Sequence, residues 1–75
     1  MKNEIIQKAQ YWLELAEKHN YRGERYRELC DYKIATGYFW ELKDKEQLLR
    51  IFKKRPEVKR LLSVETVEFC DMNVL

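Results

Sequence analysis

Ile5, Ile6, Ala9, Trp12, Leu13 and Ala16 recur at i, i+1, i+4, i+7, i+8 and i+11. Only an α-helix gathers such a set onto one face, so the chain is committed to helix from its first residues and must find something to cover the stripe. Gln7, Gln10, Glu14, Glu17 and Lys18 fall on the opposite side. Asn3 can cap the start, and Glu4 suits the positive end of the helix dipole. The spacing therefore predicts a first helix over about 4–19. Tyr11 and Leu15, one turn apart, lie beside the stripe and widen it, as expected of a helix with two neighbours.

The segment from His19 to Gly23 reads as a loop, because Asn20 and Gly23 tolerate the left-handed conformation that ends helices. A second helix over about 24–36 is expected to bury Tyr26, Leu29, Cys30, Ile34 and the stem of Lys33, with Gly37 ending or bending it. Residues 38–43 fit a helix or an extended connection equally well. Asp44, three positions before Gln47, resembles a capping box and predicts a third helix over 45–54 burying Leu48, Leu49, Ile51 and Phe52. Pro56 cannot continue that helix but suits the first turn of another. The fourth is expected over 56–63, burying Val58, Leu61 and Leu62. Residues 64–75 can form a fifth helix capped by Ser63 or lie extended against the body. Their β-branched content suits a strand, but no second strand exists to pair with it, which favours the helix. The fold class read from the sequence is all-α: a compact bundle of four to five short helices in a single domain over 1–75.

A chain of 75 residues buries only about 60% of the surface its unfolded form exposes, so added contacts from a partner or from self-association are welcome. Ten aromatic side chains give a small core much area per residue. Glu4, Glu14, Glu17 and Lys18 interrupt any apolar signal core, and the longest apolar runs are three residues. No secretory leader or membrane span is therefore expected, and the expected location is cytoplasmic. There, Cys30 and Cys70 read as reduced, small buried hydrophobes.

Charge is uneven. Residues 50–60 hold Arg50, Lys53, Lys54, Arg55, Lys59 and Arg60 against Glu57 alone, net +5, while residues 1–49 balance and residues 61–75 carry three acids. Six cations around one interhelical corner could meet phosphate or an acidic protein surface. A helix, a turn and a helix also suggest a helix-turn-helix reader, although the small residue and turn glycine of that motif are missing from 52–57. A second cationic surface runs from Tyr21 to Arg27, where rings and arginines interleave. There Glu24 and Glu28 dilute the field, and Arg27 can pair with Asp31. Other i,i+4 pairs, such as Glu46 with Arg50, account for much of the remaining charge.

Parts for chemistry are scarce. His19 reads as a helix-end residue near carbonyl dipoles, not a base. Cys30, Cys70 and His19 lack metal-ligand spacing, and two isolated glycines make no phosphate loop. No metal, cofactor or catalytic residue is expected. Tyr11, Leu15, Tyr32 and Tyr38 fall off the apolar stripes and are expected to cluster outside as a protein-binding patch. The sequence thus favours a small, non-enzymatic regulatory or adaptor protein that binds another protein. The alternative is a nucleic-acid-binding protein using Arg50, Lys53, Lys54, Arg55, Lys59 and Arg60. A pI of about 8.6 speaks against that alternative, since such domains usually exceed about 9.

Overall fold

A computed structural model describes residues 2–71. The order is α1 (Lys2–Tyr21), α2 (Arg25–Glu41), α3 (Lys45–Lys54), a 3₁₀ helix (Pro56–Leu61) and α4 (Val64–Asp71). Among the described residues there is no strand, and the architecture is the all-α bundle expected. Residues 72–75 of the expected tail lie outside the described residues.

α1 and α2 form an antiparallel hairpin across a three-residue turn. Both helices end in the same way. The Gly23 N–H bonds the Asn20 carbonyl at 3.0 Å and the Glu24 N–H bonds the His19 carbonyl at 2.9 Å. At the end of α2, the Lys43 N–H bonds the Trp40 carbonyl and the Asp44 N–H bonds the Phe39 carbonyl, each at 3.0 Å. Each arrangement needs one residue with positive φ, and these are Gly23 at 76° and Lys43 at 54°. The Lys43 ammonium lies 3.3 Å from the centre of the Trp40 ring, a contact that offsets its backbone conformation. At Gly23 no atom lies within 4 Å of where a Cβ would stand. The cost of Gly23→Ala is therefore conformational, and the expected loss is about 1 kcal/mol, read as a lower urea midpoint with unchanged slope.

Gly37 does not end α2. The helix runs through it to Glu41, because Phe39 on the next turn is sunk in the core and holds the chain helical. The break comes at 42–44, and Asp44 then caps α3, its carboxylate accepting from the Gln47 N–H at 3.3 Å. Pro56 opens a 3₁₀ helix where an α-helix was expected. Ser63 starts α4, its hydroxyl accepting from the Thr66 N–H at 3.3 Å.

The core holds Ala9, Ala16, Tyr32, Ala35, Phe39, Leu48, Ile51, Phe52, Val58 and Cys70. α3 and the 3₁₀ helix pack against α2, and α4 packs on α3. Phe69 of α4 stands edge-on to Trp40 at 5.2 Å. Leu49, Leu61 and Ile34, expected inside, are each about two-fifths exposed. Both cysteines are free, and burial pushes the Cys70 thiol up against the opposing pull of Lys45. The molecule measures 36 × 29 × 18 Å. Its least dimension admits two layers of helices about 10 Å across, with no room for a third.

Candidate functional site

The turn end of the hairpin is where the fold concentrates its charge. Glu28 is completely buried in α2. A buried carboxylate needs a cation and hydrogen bonds. Arg55 supplies the cation and one hydrogen bond, its Nε donating to Glu28 Oε2 at 3.0 Å, while Nη2 donates to Asn20 Oδ1 at 3.1 Å and Nη1 to the Lys54 carbonyl at 3.1 Å; Glu28 Oε1 has no hydrogen-bond partner among the described residues. Arg25 stands 3.6 Å from the other Glu28 oxygen and donates from Nη1 to Glu57 at 3.0 Å. Beside this network, His19 Nδ1 hydrogen-bonds the buried Asp31, and Glu24 lies between His19 at 3.9 Å and Arg27 at 3.3 Å. Arg27 thus turns to Glu24, while Asp31, its expected partner, is held by His19.

These contacts redistribute the basic block. Arg55 points inward, its side chain only 20% exposed. Arg50 pairs with Glu46 at 3.4 Å. The Lys59 ammonium sits 5.5 Å from the centre of the Phe52 ring. Among the described residues, Arg50, Arg55 and Lys59 have acidic or aromatic partners, and Lys53, Lys54 and Arg60 are the cations of the block without one. The element after the turn is a six-residue 3₁₀ helix, about 12 Å long, whereas helix-turn-helix readers lay an α-helix in the major groove.

Glu57 is exposed at the start of this 3₁₀ helix. A hydrogen bond at its own backbone N–H is the largest influence and lowers its carboxyl; desolvation opposes it, and the charges of Arg25 and Arg55 help keep the carboxyl below the usual range. A lowered carboxyl stabilises the fold at pH above its unfolded value, and that contribution disappears as pH falls through the lowered value. An NMR titration of the Glu57 side chain is expected to show a midpoint below that of a free glutamate. A midpoint at or above it contradicts the backbone hydrogen bond and the flanking arginines placed around Glu57.

Of the four residues expected to cluster outside, Tyr11 is exposed, Leu15 and Tyr38 are half-buried and Tyr32 is not at the surface. Tyr32 is 2% exposed and belongs to the core. α3 covers its side of the hairpin, where Leu13, Tyr32 and Ile51, together with Glu17, Gln47, Arg50 and Lys54, line a cleft of about 180 Å³. The other side of the hairpin carries the rest of the patch. On α1, Tyr11 is 58% exposed and Leu15 half-buried, with Trp12 edge-on to Tyr11 at 5.4 Å. On α2, Cys30, Ile34 and Tyr38 repeat at i, i+4 and i+8 and so share one side. Ile34 there is 38% exposed, and Tyr38 is half-buried. By helical spacing Tyr11, Trp12 and Leu15 of α1 and Ile34 and Tyr38 of α2 fall toward the side of the hairpin away from α3, with Trp12 and Tyr38 also packing against the core and Tyr11 and Ile34 left exposed among the described residues.

The sequence pattern missed Trp12 and Ile34 as members of this face, since each fits an amphipathic stripe. The available signal was α2 itself: its apolar residues occupy more of the helix surface than one neighbour can cover. Tyr21 and Tyr26 flank the turn at 93% and 80% exposure, so Tyr26 is a surface residue and not the core residue expected. Among the described residues, no three His, Cys, Asp or Glu side chains converge as a metal site, and no helix is long and apolar enough to cross a membrane.

No protein-family model matches the chain. Comparisons with curated proteins and with solved structures likewise gave no match.

Proposed function

We propose that this chain is a small, non-enzymatic binding protein of the regulatory or adaptor kind, and that it contacts another protein through the open face of the α1–α2 hairpin. The observation that carries this reading is the contrast between two surfaces. The apolar face keeps Tyr11 and Ile34 substantially exposed with half-buried Trp12, Leu15 and Tyr38 around them. Interface cores are rich in such rings, and a wet apolar patch of this kind on a small domain favours a partner. The cationic corner, by contrast, has its central arginine tied to Glu28 inside the fold. Phosphate contacts would fall to Lys53, Lys54 and Arg60, which limits the attraction for nucleic acid.

Capture from host extract separates the readings. Tyr11→Lys with Ile34→Lys is expected to abolish recovery of a stoichiometric protein, while Lys53→Glu with Lys54→Glu and Arg60→Glu leaves it unchanged. Duplex and single-stranded oligonucleotides at low salt are expected to show no saturable binding. A steep salt slope that disappears in the Lys53, Lys54 and Arg60 reversals supports the nucleic-acid alternative instead.

A further inference from the structure

We infer that the open hairpin face is where two copies of this chain meet, packed antiparallel about a twofold axis so that the two hairpins form a four-helix core. This rests on the protein-binding reading of the face and names its partner.

Charge is the first support. By helical spacing, Lys18, Arg22 and Arg27 border the face at the turn end, with Glu24 as the one acid among them. Glu4 and Glu41 border it at the far end, with Lys8 as the one base. An antiparallel twofold places the cationic end of each copy over the acidic end of the other. A parallel arrangement stacks like on like.

Gly37 is the second. It lies in the interior of α2 on the open side, where glycine weakens a helix relative to alanine. Nothing lies within 4 Å of the place a Cβ would occupy, so the single chain gives no reason for it. Between Ile34 and Glu41 it makes a notch, which lets a neighbouring helix approach closely.

Area is the third. Two helices about 25 Å long and 10 Å apart present a face of about 25 × 20 Å before side-chain relief is counted. That is about 500 Å², below the roughly 800 Å² per partner of a standard stable interface and of the size of a weak, reversible one, so side-chain relief and the flanking charges must add to it.

Sedimentation equilibrium of the full chain tests this. The mass is expected to rise from 9.3 kDa to twice that value at micromolar concentration. Ile34→Lys, at an exposed site that leaves helicity unchanged by circular dichroism, is expected to raise the dissociation constant about a hundredfold. Gly37→Ala is expected to raise the thermal midpoint of dilute monomer yet weaken the dimer about tenfold. Chains carrying Glu4→Lys with Glu41→Lys, or Arg22→Glu with Arg27→Glu, are each expected to dimerise poorly alone and to pair with one another when mixed.

A chain that stays monomeric to millimolar concentration overturns the proposal, as does a dimer indifferent to Ile34→Lys or one strengthened by Glu4→Lys with Glu41→Lys. Those outcomes leave the protein-binding reading to the capture experiment. Loss of both dimer formation and capture removes the reading itself.

Discussion

Arg55→Ala is expected to cost about 3–5 kcal/mol, a large share of the protein's stability. The substitution removes the only hydrogen-bond donor among the described residues to a carboxylate that is fully buried, leaving Arg25 at 3.6 Å as its remaining ion-pair partner there. Breaking a buried pair from one side costs about 3–5 kcal/mol. A domain of this size has a total stability of about 4–11 kcal/mol, so the lost pair is comparable to the whole. The double substitution Glu28→Met with Arg55→Met removes both charges and supplies apolar volume. It is expected to recover most of the loss, because the desolvation of two ions offsets much of their attraction. Urea unfolding of the wild type, the single variant and the double variant gives the comparison. A single variant within about 1 kcal/mol of wild type contradicts a structural role for Arg55 and returns its guanidinium to the surface as a binding group.

The second large effect is Phe39→Ala. Phe39 is 2% exposed at the centre of the core, among the turns of α2 that continue past Gly37. Deleting the ring removes its transfer energy and leaves a cavity, together about 3–5 kcal/mol. The loss is expected to include helix, since residues 38–41 lie on an extension that Gly37 alone does not favour. Circular dichroism at low urea should show a helical signal below that of wild type before the main transition. A variant that keeps full helicity and loses under about 1 kcal/mol contradicts the placement of Phe39 as the anchor of α2.

How much of this was legible depended on whether the cause was local. The first helix, the Asp44 cap, the Pro56 boundary and the Ser63 cap each rest on a few adjacent residues, and each lies where the residue types put it, although Ile6 of the α1 stripe is 43% exposed. The facing of α2 did not. Reading apolar residues as inward selects Tyr26, Leu29, Cys30 and Ile34, yet the buried side is Glu28, Asp31, Tyr32, Ala35, Thr36 and Phe39. Two acids occupy the core side because Arg55 and His19 meet them there. Those partners lie 27 and 12 residues away in sequence, beyond any helical period. The same long-range pairing explains the basic block: its charge excess was legible, but the inward turn of Arg55 was not. Tyr32 moved from the expected patch to the core for a related reason, since α3 covers one side of the hairpin and leaves the other open.

The contrast between those two sides is tested most directly by site-specific photocrosslinking. A photoreactive phenylalanine analogue placed at Tyr11 or Ile34, and in parallel at Lys53 or Arg60, reports what touches each surface in host extract. Protein adducts from positions 11 and 34, with none from 53 and 60, are the expected result. Nucleic-acid or protein adducts from 53 and 60, with 11 and 34 silent, contradict it.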